Sequence, residues 1–182
     1  MILLDPDLEP DSTLASANAK QAAASGPLKN LRIPSTRTLG RYLSEAQAAV
    51  GLQGQVTVLL TTDATIRDLN RRFRGKDEAT DVLSFPAKKP LQRQERIAGD
   101  VAISMETAQR QAAEQGHTLG VELRVLMLHG LLHVAGYNHE TDAGKMHRRE
   151  QQLRTKLGLP QGLIERASAK PTKTRRPHDD SA

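Results

Sequence analysis

His129, His133 and His139 stand in the run LHGLLHVAGYNHETD, which holds half of the chain's six histidines. Neutral imidazoles are the commonest protein metal ligands near neutral pH. The first two lie four residues apart in a stretch that reads as helix from Val121 to Val134. That spacing sends both rings from one helical face, a turn apart. Gly136 breaks the helix, and the turn after it can bring His139 back toward the pair. Three imidazoles around one point, without a fourth protein ligand nearby, describe an open zinc site better than a closed structural one. Two histidines at this spacing on an apolar helix are more often packed core residues, but the third shifts the balance to metal binding. His117, His147 and His178 gain no such support and are expected at the surface, in a turn, a charged helix and the tail.

The spacing His-x3-His-x5-His, with glycine between the second and third histidines, matches the zinc-binding part of the metzincin protease motif. Those proteases carry a glutamate directly after the first histidine, as general base for the attacking water. Here that position is Gly130. The ligand spacing is kept and the peptidase base is missing, which removes the main chemical support for a protease.

A second group with chemical capacity is Leu69-Asn70-Arg71-Arg72-Phe73-Arg74-Gly75-Lys76-Asp77, where Arg71, Arg72, Arg74 and Lys76 crowd the end of an expected helix. Cations at a helix C-terminus are favourable in their own right, so one reading is a solvated helix end. The other is a phosphate-binding edge, since a planar guanidinium can hold two phosphate oxygens at once. Composition leaves both open.

These groups must be positioned by a chain of 182 residues, which suits one domain with extensions. Apolar residues make up 37% and aromatics only 2%, so the core must be aliphatic. The chain has no cysteine, which excludes disulfides and thiolate ligands and leaves any transition metal to histidine and carboxylate. No apolar run approaches the ~20 residues that span a bilayer. Met1–Asp5 is too short and acidic for a signal peptide. A cytoplasmic protein is expected. The net charge of +5 suits an anionic partner such as RNA without requiring one.

Residues 1–10 hold a possible first strand, and 11–34 read as a flexible Ala/Ser-rich insertion or linker. Leu39, Tyr42, Leu43, Ala46 and Val50 recur at helical spacing after the caps offered by residues 35–38, and Gly51 ends that helix. Residues 55–61 (QVTVLLT) form a β-branched strand. A helix capped by Asp63 or Thr65 follows, with Ile66, Leu69, Asn70 and Phe73 inward. Thr80–Phe85 is the next strand, stopped by Pro86, and another starts at Gly99–Ile103. Between them Ala87–Glu95 is a basic loop. Helices are expected over Ser104–Gln115, the histidine stretch, and Gly144–Leu157 with Met146, Gln152, Leu153 and Leu157 inward. Residues 166–182, with two prolines and five Lys or Arg, read as a disordered basic tail. Strands and helices mix without regular βαβ alternation, which favours α+β.

Four ordered blocks together are far more specific than any one: Asn70-x3-Arg74-Gly75-Lys76-Asp77, Thr80-Asp81-Val82-Leu83-Ser84-Phe85-Pro86, Gly99-Asp100-Val101-Ala102-Ile103-Ser104, and His129-Gly130-x2-His133-x2-Gly136-Tyr137-x-His139. In these the chain resembles the YbeY family of metal-dependent endoribonucleases, from about residue 36 to 157. The resemblance implies a domain over 35–160 with a mixed four-stranded sheet, about five helices, and a central helix bearing the first two histidines. It implies that His129, His133 and His139 hold one zinc ion, and that Arg74 is the functionally important arginine. The implied substrate is ribosomal RNA, with maturation of the 16S rRNA 3′ end and quality control of the small ribosomal subunit as the setting. Two departures stand out. Asn138 replaces the family's usual aspartate before the third histidine, which removes a charge from the ligand surroundings. The insertion is also longer than expected between the first strand and the first helix.

The implied chemistry is metal-assisted phosphodiester hydrolysis, with Arg74 stabilising charge that builds on the phosphoryl oxygens. No residue names itself as general base. Val82, Leu83, Phe85, Val101 and Ile103 are expected in the core, and Asp81, Ser84 and Asp100 in structural roles. Three histidines also suit nickel, cobalt or iron. Two other functions fit the sequence: another zinc hydrolase, and a ribosome-assembly factor whose metal only stabilises the fold.

Overall fold

The computed structural model describes residues 1–8, 33–88, 96–139 and 141–161. The insertion from residue 11, most of the basic loop after Ala87, and the tail at 166–182 lie outside the described residues.

Four strands form one mixed sheet: β1 (Ile2–Leu4), β2 (Gln55–Thr61), β3 (Val82–Pro86) and β4 (Ile97–Ser104), in the order β1-β2-β4-β3. β1, β2 and β4 are parallel, with Val58 opposite both Ile2 and Val101. β3 runs antiparallel to β4 along the other edge, with Ser84 opposite Val101. Among the described residues five α-helices accompany the sheet: α1 (Thr36–Val50), α2 (Asp63–Arg74), α3 (Met105–Gln115), α4 (Leu119–Val134) and α5 (Lys145–Lys156). A short 3-10 turn at Pro6–Leu8 follows β1. The α+β class and the mixed four-stranded sheet are as the sequence suggested.

Strand alternation divides the core in two. Val56, Val58, Leu60, Val101 and Ile103 point to the main core with α1 and α4. Leu83 and Ala102 pack on the other side with Ile66 of α2, and Leu69 and Phe85 border them. Helix α4 is the centre of the molecule. Leu123, Leu126, Met127, Leu128, Leu131 and Leu132 are all fully buried, so the helix is covered on nearly every side. Truncating any of these leucines to alanine should cost about 2–5 kcal/mol.

Hydroxyl side chains start four of the helices. Ser35, Thr62, Ser104 and Thr118 accept from the backbone N–H three residues on, satisfying one of the free donors of the first turn. The cap of α2 is therefore Thr62, one residue before the expected Asp63; the Thr65 N–H is its donor. Asp63 instead binds Ser104, Thr107 and Arg110 at the start of α3. β3 begins at Val82 because the Asp81 side chain takes the Val82 N–H, turning the chain before the ladder starts. Pro86 lies within β3, tolerated on an edge strand. β4 starts earlier than expected, at Ile97.

Three side-chain placements differ from expectation. Phe73 is 66% exposed: Ile66 and Asn70 hold the buried face of α2, and Phe73 meets the sheet only at its β3 edge, against Phe85. Gln152 is exposed, and Arg154 takes the buried place on α5. His117 is largely covered and bonded through Nε2 to the buried carboxylate of Glu122, where the turn into α4 folds back on the helix. His178 lies outside the described residues.

Candidate metal centre

The last turns of α4 present His129 and His133 one turn apart. The chain then leaves the helix at Ala135 and reverses through Gly136, whose φ of +94° suits glycine. This turn returns His139 to the pair. The ring centres lie 4.8 Å apart for His129 and His133, 5.3 Å for His133 and His139, and 5.8 Å for His129 and His139. One ligand atom from each falls within 4.8 Å of the others.

The outer nitrogens settle which atoms face inward. His129 Nδ1 lies 2.9 Å from Glu150 Oε2, and His133 Nδ1 lies 3.0 Å from the Tyr137 carbonyl oxygen. An ionised carboxylate and a carbonyl only accept, so both Nδ1 atoms carry hydrogen and donate. In the neutral rings both Nε2 atoms are then lone pairs, and they face each other at 3.2 Å. Two acceptors at that distance repel unless a cation lies between or beside them. His139 Nδ1 is also buried, with no hydrogen-bond partner among the described residues. The donor set fits a metal ion that accepts imidazole nitrogen.

Charge supports the same conclusion. Burial pushes His133 down to about 4, helped by the neighbouring His129, His139 and Arg74, against the Tyr137 carbonyl that favours the protonated ring. The ring is neutral at physiological pH, the form that binds metal. Behind His129, Glu150 is 2% exposed. Burial raises its pKa, but the hydrogen bond from His129 and the charge and hydrogen bonds of Arg154 more than offset this and hold the carboxyl below its ordinary value. Arg154 is 1% exposed; it donates from Nε to Glu150 Oε1 at 2.8 Å and from Nη1 to the Pro160 carbonyl at 2.8 Å. A buried carboxylate thus joins a candidate ligand to a buried guanidinium.

Sequence reasoning missed Glu150 and Arg154. The available signal was the spacing Met146, Glu150, Leu153, which puts Glu150 on the apolar stripe of an otherwise charged helix.

Gly130 explains the absent peptidase glutamate. A Cβ there would lie 2.7 Å from Val101 Cγ1 and 3.3 Å from Ser84 Oγ. The α4 backbone rests directly on the sheet at this point, and Ser84 Oγ donates to the Gly130 carbonyl at 3.1 Å. The position after His129 faces packed protein rather than the cleft.

The three histidines open into a cleft of about 630 Å³, which residues from the end of α2 and from β3 also line. Arg74, Lys76 and Asn70 line it. Arg74 is exposed on the last turn of α2 and donates from Nη2 to the Ser84 carbonyl at 3.2 Å. Asn70 is buried and ties α2 to the following loop through the Glu78 carbonyl. Asp81 borders the cleft but accepts from Gln111 and from Val82 N–H, as its expected structural role requires. Asn138 is exposed, and its backbone carbonyl accepts from Thr141 and Asp142 to begin the turn into α5.

A family model described as Endoribonuclease YbeY matches residues 20–158. The Endoribonuclease YbeY of Koribacter versatilis (strain Ellin345) is 51% identical over 145 residues, 80% of this chain and 91% of the relative. That of Solibacter usitatus (strain Ellin6076) is 48% identical over 129 residues, covering 71% and 84%. The solution structure of TM1509 from Thermotoga maritima is 26% identical, with 80% of this chain and 97% of that one aligned at a TM-score of 0.48. The match spans the residues that line the cleft, from Asn70 to the last histidine, and at this identity and coverage the chain belongs to the YbeY endoribonuclease family.

Proposed function

We propose that the chain is a zinc-dependent endoribonuclease that cuts single-stranded ribosomal RNA, during maturation of the 16S rRNA 3′ end and quality control of the small ribosomal subunit. The relatives' shared name supports endoribonuclease activity. The observation that carries the metal requirement is the meeting of the His129 and His133 Nε2 lone pairs at 3.2 Å. The ribosomal substrate implies contact with the small subunit and a cytoplasmic location. No described helix is long and apolar enough to cross a membrane.

When bound, a zinc ion supplies Lewis acidity toward the phosphodiester and lowers the pKa of a water molecule. His129 and His133 would hold it through Nε2, with His139 as the third ligand. Glu150 fixes the His129 tautomer and ring orientation, and the Tyr137 carbonyl does the same for His133. Arg74 lines the same cleft. Its guanidinium can leave the single Ser84 carbonyl for a phosphodiester, offering two parallel N–H donors to the oxygens on which charge builds. A peptidase reading loses support from Gly130, where packing leaves no room for the glutamate such enzymes use.

The test compares wild type, His133→Ala and Arg74→Ala on ribosomal RNA, with zinc measured on each protein. His133→Ala should lose both metal and cleavage. Arg74→Ala should keep its metal and lose on the order of 100-fold or more in rate. Equal residual cleavage by all three would point to a contaminating nuclease, and to an assembly factor with a structural metal.

A further inference from the structure

Phe73 is one of two phenylalanines in the chain, and its ring is 66% exposed. A single exposed apolar side chain is ordinary in itself. Its placement is not. The other large exposed apolar side chains among the described residues are Met1, Leu3 and Leu4, at the β1 edge of the sheet. Phe73 stands at the β3 edge, directly before Arg74, and its ring meets Phe85 edge-on with centroids 5.2 Å apart at 69°.

The alternation of β3 sets the geometry. Ser84 turns its hydroxyl to Gly130 on the α4 side of the sheet, so Phe85 points to the α2 side, where Phe73 meets it. Ser84 and Pro86 border the cleft, as do Arg74 and Lys76. The aromatic pair therefore lies just across the edge strand from the histidines. The charge around it is positive. Arg71 and Arg72 pair with Asp68, and Arg67 pairs with Asp77, whereas Arg74 and Lys76 form no ion pair among the described residues.

We propose that Phe73, backed edge-on by Phe85, is a stacking platform for one base of a single-stranded RNA whose neighbouring phosphate lies against Arg74 in the cleft. Exposed aromatic rings beside cations are how proteins hold single strands without reading sequence, because every base offers a π-face. In a duplex those faces are covered by stacking, so the platform also selects unpaired RNA. This inference rests on the endoribonuclease reading and assigns Phe73 to the same site as a substrate-binding residue.

The experiment measures kcat/KM of the zinc-loaded protein on a short single-stranded oligoribonucleotide and on a series in which one abasic nucleotide is walked along the strand. Phe73→Ala should lose about ten-fold on the intact strand. Wild type should show a matching loss at one abasic position, to which Phe73→Ala is insensitive, and Phe73→Trp should restore both behaviours. Melting temperatures of wild type and of each Phe73 variant check that all are folded. The inference is overturned if Phe73→Ala matches wild type, if its loss simply multiplies with the abasic loss at every position, or if Phe73→Leu is as good as wild type. Weaker binding of Phe73→Ala to the small ribosomal subunit, with oligonucleotide cleavage unchanged, would mean a protein contact instead. Wild type that cleaves no better than His133→Ala would sink the endoribonuclease reading itself, whereas active wild type with an indifferent Phe73→Ala sinks only the platform.

Discussion

Glu150 governs how His129 presents its lone pair, and its own charge is held by Arg154. Two effects are joined in this residue and can be separated. Glu150→Ala should lower zinc affinity by about 10–100-fold, because the ring loses the acceptor that orients it. It should also destabilise the fold by about 3–5 kcal/mol, since it strands the Arg154 guanidinium in the interior. Replacing both residues by methionine should recover most of the stability and none of the affinity. Zinc competition against a chelating dye and a urea titration read the two effects; recovery of affinity in the double variant would show that His129 needs no carboxylate. At this scale the sequence was legible wherever chemistry lies in spacing. The three histidines come together as their spacing suggested, and Arg74 lines the same cleft. Glu150 was not legible, because a carboxylate among Arg148, Arg149 and Gln151 looks solvated until the helix is docked. Phe73 failed for the opposite reason: its helical phase is right, but it meets only the edge strand β3, which leaves most of its ring uncovered.

The packing of α4 on the sheet makes Gly130 an element-scale constraint. Gly130→Ala would press a methyl group into Val101, 2.7 Å away, at a cost of about 1–3 kcal/mol. Adding Val101→Ala should return part of that stability, as a denaturant midpoint would report; no recovery would mean that the strain lies elsewhere. The joint between α2 and α3 carries a pH dependence of its own. Burial would raise the pKa of Asp63, but hydrogen bonds from Ser104, Thr107 and Arg110 outweigh it and hold the carboxyl below its ordinary value. A carboxyl depressed in the folded state contributes stability above its unfolded pKa of about 4 and loses it as pH falls through the folded value. Asp63→Asn should therefore be less stable than wild type at neutral pH, with the difference shrinking below about pH 4. A constant difference across that range would show that the asparagine loses packing rather than charge. The strands and helices themselves were readable from apolar period and caps. Their starts were less so: Asp63 spends its side chain on Ser104, Thr107 and Arg110, which the sequence does not bring near, and Asp81 turns its own onto the next N–H instead of opening the strand.

Across the whole molecule the last described residues reach back to the centre. Leu159 is buried in the main core, and the Pro160 carbonyl accepts from Arg154, which holds Glu150 and through it His129. A chain cut after Gln161 keeps each of these contacts; one cut after Lys156 loses Leu159 and the Pro160 carbonyl. The shorter chain should melt several degrees lower and bind zinc more weakly than the longer one. Equal melting temperatures would mean that Leu159 adds nothing to the core. None of this was legible in advance, since the apolar pattern ends the last helix at Leu157 and gives Leu159 and Pro160 no part.

The candidate ligands are unequal in how firmly they are held. His129 and His133 ride on the most buried helix, where local opening costs most, while His139 arrives on a turn whose residues are largely exposed. Exchange of the ion should therefore proceed from one side, with His139 letting go first and two nitrogens keeping hold. The rate at which a chelator strips the protein would then follow the opening of the 135–139 turn and not global stability, so residence time and affinity could be tuned independently.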